Sequence, residues 1–190
     1  RARAFVAGLL PGPPRSESYI ALNANVLNFT SDLPLLIIHD FGKGGISATT
    51  DKFAFMAIFE PKAGRSSLTN APDFGTRAGL HARGSSTLGL AKQSWAVVWW
   101  DEFNTDKDLS PLGLPADSDW VMYAPNNFEP VLIHNPFIFQ LSNDIGAYAP
   151  RARFVEVYLN TAGGPISSAN YFGIYVLEEK ITRGSHRVDV

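Results

Sequence analysis

The sequence predicts an α+β domain: a mainly antiparallel sheet of about five to seven strands with one dominant helix near residues 135–146. Three observations point there. The segment Gln93 to Glu102 places Trp95, Val97 and Trp99 on one face at period two, and Ala96, Val98 and Trp100 on the other. Phe154 to Asn160 alternates strictly, with Phe154, Glu156 and Tyr158 opposed to Val155, Val157 and Leu159. Glu129 to Ile145 instead carries a helical period, in which Leu132, Ile133, Pro136, Phe137, Phe139, Gln140, Leu141 and Ile145 trace one broad apolar side.

In chain order, residues 1–25 read as an N-terminal arm or the tail of a preceding module, and residues 26–190 as the main domain. Leu33 to His39 is a continuous apolar run, a buried strand with Pro34 near its start, where no ladder donor is needed. Gly42-Lys43-Gly44-Gly45 reads as a turn, because it lacks the spacing and the following helix of a phosphate loop. Lys52 to Phe59 is the partner strand, and Pro61 to Phe74, rich in Gly, Ser, Asn and Pro, is a surface loop.

Arg77 to Glu102 then reads as two strands around the polar loop Arg83-Gly84-Ser85-Ser86-Thr87, with Lys92 opening the second strand. That strand is apolar on both faces and so is expected to be covered on both. The acidic connection from Asp101 to Ser118 lacks the ligand order of a calcium loop and reads as solvated. Trp120 to Tyr123 is a short strand, and Asn126-Asn127 a turn. In the helical segment Pro136 implies a kink, or a start near Asn135 with Pro136 at the first helical position, and Gly146 suits a stop. Tyr171 to Glu178 pairs with Phe154 to Asn160 across Gly163-Gly164-Pro165. The expected core comprises Trp95, Trp120, Phe137, Leu141, Val155 and Val157.

Composition narrows the function classes. The 190 residues suit one domain, and 45% hydrophobic with 12% aromatic residues supply a sizeable core. A net charge of −2 with no basic face argues against nucleic acid as a partner. The sequence has no cysteine, which excludes disulfides and thiolate metal sites. No apolar run approaches the ~20 residues of a membrane-spanning helix. Arg1 opens inside a strand-like pattern, which reads as a piece of a longer protein. His39 and His81 lie on apolar strands and read as packing residues, since neither has metal-ligand spacing.

The chemistry-bearing residues centre on the polar loop. A lysine opening a buried strand beside a Gly/Ser loop can neutralise a phosphate held by loop N–H groups. Arg adds a fork of donors and Ser a hydroxyl. The plainer reading is a hairpin whose lysine snorkels to solvent.

Five motifs follow in order. They are Arg83-Gly84-Ser85-Ser86-Thr87 with Lys92-Gln93-Ser94-Trp95; Leu112 to Val121, LGLPADSDWV; Leu132-Ile133-His134-Asn135-Pro136-Phe137; Pro150 to Asn160, PRARFVEVYLN; and Tyr171 to Ile181, YFGIYVLEEKI. From about Phe29 to Val190 this series resembles the CotH (spore coat protein H) kinase-like family. Residues 1–20 resemble, over a short match, the end of a chitobiase-type fibronectin-like module.

The CotH resemblance implies the N-terminal lobe of an atypical protein kinase, with ATP and Mg²⁺ as cofactors. It implies Lys92 as the phosphate contact, Arg83, Ser85 and Ser86 as loop contacts, and Glu179 as a residue that binds a ribose or fixes the hinge between lobes. Glu179 also has a plainer reading, an exposed strand-end carboxylate beside Lys180. His134 stands where the family more often has arginine, and Glu129 near the family's aspartate. The second lobe would carry the base and the metal ligands, and Asp189 comes too early for either role. No catalytic or metal-binding residue is therefore assigned.

The implied function is a fragment of a CotH-type kinase that phosphorylates Ser/Thr in a coat or surface protein and is inactive alone. The alternative is a non-catalytic structural or interaction module of a large extracellular or surface-assembly protein. Implied partners are the other domains of a larger parent and a protein substrate or surface assembly, with no nucleic acid and no membrane span. The implied location is extracellular or cell surface.

Overall fold

The computed structural model describes residues 1–126, 128–129 and 131–188. Asn127, half of the expected Asn126-Asn127 turn, and Asp189 lie outside the described residues. The elements are β1 (Thr30–Ser31), β2 (Leu35–His39), β3 (Lys52–Phe59), β4 (Ser66–Ser67), β5 (Phe74–Arg83), β6 (Ser94–Trp100), β7 (Asp119–Tyr123), α1 (His134–Asp144), β8 (Ala152–Asn160) and β9 (Tyr171–Glu179).

Seven strands close into a barrel in the order β2-β3-β5-β6-β7-β9-β8. Every pairing is antiparallel except the one that closes it, β2 beside β8, where Leu35 faces Glu156 and His39 faces Asn160. Closure removes both sheet edges. The interior is filled by alternate residues: Leu36 and Ile38, Met56 and Ile58, Ala78 and Leu80, Trp95, Val97 and Trp99, Trp120 and Met122, Val155 and Val157, Tyr175 and Leu177. A second, smaller core covers the outside of β2, β3 and β8, where Val26, Leu68 and Ile166 pack on Leu35, Ile37, Ala57, Phe59 and Tyr158. The two apolar faces of β6 thus have different fates. Trp99 is fully buried inside, whereas Trp100 lies across Gly79 on the outside, where a Cβ would sit 2.2 Å from the indole.

These findings correct the expected fold. The protein is a mainly β closed barrel with one short helix, not an α+β kinase-lobe sheet with a helix packed behind it. Its interior is completed by its own strands, so α1 contributes no buried residue. Phe137 is 62% and Leu141 45% exposed, contrary to their expected place in the core, while Trp95, Trp120, Val155 and Val157 are buried as expected. Pro136 is the third helical residue rather than the first. It still falls in the first turn, where its missing N–H costs no intrahelical bond. Gly146, at φ +85°, ends the segment. His39 packs with Nδ1 accepting from Phe41 N (2.9 Å) and Nε2 against the Gly164 carbonyl (3.1 Å). His81 is not a packing residue: its ring, about one third exposed, sits 2.7 Å from Asp51.

Candidate functional site at the loop end of the barrel

Strand directions gather one set of connections at one end of the barrel. β2 and β8 end there at His39 and Asn160, β5 ends at Arg83, and β6 and β9 begin at Ser94 and Tyr171. The connections 40–51, 84–93 and 161–170, and residues 124–126 after β7, therefore share this end. Arg83, Ser85, Ser86 and Lys92 all belong to it.

Lys92 is set into the rim. Its Nζ donates to the carbonyls of Ile174 (2.6 Å) and Pro125 (3.0 Å) and stands 4.9 Å from the centre of the Tyr175 ring. Among the described residues it has no carboxylate partner. Burial holds its pKa below the usual lysine value, because an ammonium taken out of water without a counter-charge is disfavoured. An ammonium has three donors, and the two carbonyls use two of them.

Arg83 pairs with Ser94 across the strands, and its side chain is exposed. Ser85 and Ser86 are also exposed. The loop folds tightly at Gly84, whose φ is +123° and whose absent Cβ would lie 2.2 Å from Thr87 Oγ1. No other residue fits there without displacing Thr87.

Glu179 is not part of this group. It lies five residues along β9 from Ile174, roughly 17 Å away for an extended chain, at the opposite end of the barrel. It is 1% exposed, so the exposed-carboxylate reading does not hold. One oxygen accepts from Arg151 Nε (2.9 Å) and from Arg187, the other from Arg151 N (3.0 Å) and Tyr148 OH (3.3 Å). Arg187 is fully buried, 4.8 Å above the Trp120 ring and 3.3 Å from Asp117. This cluster plugs the far end of the barrel.

Three residues outside the sequence-based assignment stand out on the outer face. Glu178 is nine-tenths buried, and its Oε2 has no hydrogen-bond partner. Burial pushes its carboxyl up to about 7, with Arg83 opposing the shift and Glu129 adding to it. Glu129, also buried, accepts from Tyr123 OH (2.5 Å) and from His134 N (2.6 Å), and so ties β7 to the start of α1. Burial and the Glu129 bond push the Tyr123 phenol well above its usual range. Strand parity holds the signal for Glu178: it continues the outward line Ile174, Val176, whereas Glu179 continues the inward line Tyr175, Leu177.

Among the described residues, no group of three or more His, Cys, Asp or Glu side chains is arranged to hold a metal. No described helix is long and apolar enough to cross a membrane. No curated protein matches the chain. The family model described as CotH kinase protein matches residues 80–190, more than half of the chain and the stretch that contains the Arg83 loop, Lys92, α1 and both glutamates of β9. On that match, the chain belongs to the CotH kinase protein family.

Proposed function

We propose that this chain is the phosphate-binding part of a CotH-type protein kinase that transfers a phosphoryl group from ATP to Ser/Thr of a coat or surface protein. The observation that carries this reading is the ammonium of Lys92, held at the rim without a carboxylate and with one donor left over. At the same end of the barrel stand an exposed arginine and two exposed serines on a tight loop. These side chains fit phosphate oxygens: a compact charge, a planar fork of donors and two hydroxyls. Bound ATP would supply the phosphoryl group; the chain's own residues would hold its charge and exclude water from one side.

The described residues do not suit Mg²⁺ on their own, since they offer no cluster of carboxylates for it. No group is placed to orient a substrate hydroxyl. Phosphoryl transfer needs both, so the chain alone is expected to bind nucleotide without turnover. Glu179, engaged at the far end, serves this reading only by holding the barrel closed.

The test is calorimetric titration of ATP into the chain and into Lys92→Ala and Lys92→Met, with melting curves to confirm folding. Loss of a charge-assisted contact is expected to weaken binding by about 1.5–3 kcal/mol. Equal affinities in the three folded proteins would leave Lys92 a rim-packing residue and remove the reading's support.

A second reading, a non-catalytic interaction module of an extracellular or surface assembly, is favoured by α1. It presents Phe137, Ile138 and Leu141 to solvent, with Ile133 and Ile145 flanking it. A folded wild-type chain that binds no ATP would favour that module.

A further inference from the structure

The outer wall of the barrel carries a cavity of about 270 Å³ where β3, β5 and β6 meet the N-terminal arm. Three outward residues stand there in one cross-strand row, Phe55, Arg77 and Trp100. On either side of Arg77 the outward line of β5 holds a glycine, Gly75 and Gly79. A Cβ on Gly79 would lie 2.2, 2.6 and 2.7 Å from three consecutive indole atoms of Trp100, so the glycine meets the face of the ring rather than its edge. Phe55 leans over Gly75, where a Cβ would lie 3.3 Å from its ring. Glycine inside a strand weakens it and often marks a close approach. Here the two glycines let two half-buried rings lie along the wall, one on each side of Arg77. Arg77 itself is pinned: Nε donates to the Asp101 carbonyl (3.2 Å), Nη2 to Asn104 Oδ1 (2.5 Å), and the guanidinium stands 4.5 Å from the centre of the Phe53 ring.

Polar groups surround the rings. Glu102 accepts from Ser16 N (2.9 Å) and Ser16 Oγ (2.5 Å), which holds the arm down as one wall of the cavity. Asp101 accepts from Phe103 N (2.7 Å) and Thr105 N (2.9 Å) through Oδ1 alone, which leaves Oδ2 as an acceptor. Lys107 adds an ammonium. A further cavity of about 170 Å³ shares Ser18 and Phe55 with this one, so the groove runs on along the arm.

We propose that this groove binds an uncharged oligosaccharide, with one sugar ring stacked on Trp100. The site is separate from the nucleotide reading, whose residues lie at the loop end of the barrel. Charge decides the ligand class. Arg77 and Lys107 line the same cavity as Asp101 and Glu102, so neither an anion nor a cation is favoured as a whole. A neutral polyol uses both signs. Its hydroxyls donate to carboxylates and accept from a guanidinium or an ammonium, and such charge-assisted bonds are the strong ones. The indole serves the other side of a sugar. The C–H face of a pyranose is flat and apolar, and its weakly positive hydrogens meet the negative face of an aromatic ring. Size agrees as well. Pockets that enclose a whole drug-sized ligand run to roughly 300–1,000 Å³, so this one holds a single sugar ring, and the groove past Ser18 carries the next.

The experiment titrates cellohexaose, mannohexaose and N-acetylchitohexaose into the whole chain, followed by calorimetry and by tryptophan fluorescence. Of the four tryptophans, Trp95, Trp99 and Trp120 are buried and Trp100 is half-buried, so a ligand on this wall is read by Trp100. The expected result is that at least one of the three sugars binds and changes the emission. Trp100→Phe keeps a ring, so it should bind the same sugar within a few-fold and lose the emission change. Trp100→Ala should bind it about tenfold more weakly, with melting curves to confirm folding. Should Trp100→Ala fail to fold, the emission change and its loss in Trp100→Phe decide the question. Binding without an emission change in the wild type, or unchanged affinity in folded Trp100→Ala, overturns the site. So does a folded wild type that binds none of the three. These outcomes hold whether or not the chain binds ATP.

Discussion

At one end of the barrel, Glu179 and Arg187 bury their charges against each other over the Trp120 ring. At the other, Lys92 sets a single ammonium against two carbonyls and the Tyr175 ring, with no carboxylate partner among the described residues. The two ends spend buried charge differently. The buried pair sits in a larger charge cluster with Arg151 and Asp117 and closes this end of the structure, and removing either partner leaves the other under-compensated. An unpaired cation keeps its capacity for an anion, at the cost of a depressed pKa. The contrast divides the residues to which the family resemblance gave a ligand role: Lys92, Arg83, Ser85 and Ser86 lie at the loop end of the barrel, whereas Glu179 lies at the closed end.

The sharpest way to break this comparison is Glu179→Ala. It leaves Arg187, whose side chain is fully buried, with Asp117 at 3.3 Å in place of its closest carboxylate, and the expected loss is about 3–5 kcal/mol in denaturant melts. ATP affinity per folded molecule should stay unchanged. A mild stability loss with abolished ATP binding would instead tie Glu179 to the ligand.

Trp95→Ala comes next and probes the open end. The indole is buried among Val97, Tyr175 and Phe172, so truncation should cost about 3–5 kcal/mol. A cost below 1 kcal/mol would mean that this end of the barrel is not a packed core.

Glu178→Gln tests the carboxylate that neither end satisfies. Its folded pKa, about 7, lies above the ordinary 4.5. Burial of the neutral form therefore adds stability that is fully present below pH 4.5 and is lost as pH rises through 7. The span corresponds to about 3 kcal/mol. At pH 8 Glu178→Gln should be more stable than the wild type by a similar amount, and its stability should be flatter between pH 4.5 and 7. Parallel pH profiles for the two proteins would show that Glu178 is compensated after all.

The local elements were legible because their patterns are local. The alternation in Phe154 to Asn160 and the double apolar face of Gln93 to Trp100 mark β8 and β6, and Gly146 ends α1. Barrel closure was not legible. It depends on parallel pairing of β2 with β8, residues more than a hundred positions apart, and nothing in Leu35–His39 names its partner. At the site, the tight Arg83-Gly84-Ser85-Ser86 loop and Lys92 were readable as neighbours in sequence. The split between Glu178 and Glu179 was not, because it turns on which parity of β9 faces the barrel interior.

The smallest expected effect is the most direct check on what the helical period means in this protein. Phe137 and Leu141 recur at helical spacing, which ordinarily marks the face a helix buries. Here the barrel fills its own interior, and α1 lies over β8 with Phe137 62% and Leu141 45% exposed. A side chain already in water loses little when it is shortened, so Phe137→Ala should cost about 0.5 kcal/mol or less. This is far below the cost of Trp95→Ala, although both remove an aromatic ring. The measurement is a pair of urea melts on the two variants with equal slopes, so that the midpoints compare stability directly. A Phe137→Ala loss of 3 kcal/mol or more would mean that the apolar side of α1 is covered in the folded protein in solution. The contrast between the filled interior and the open outer face would then fail at its outermost element.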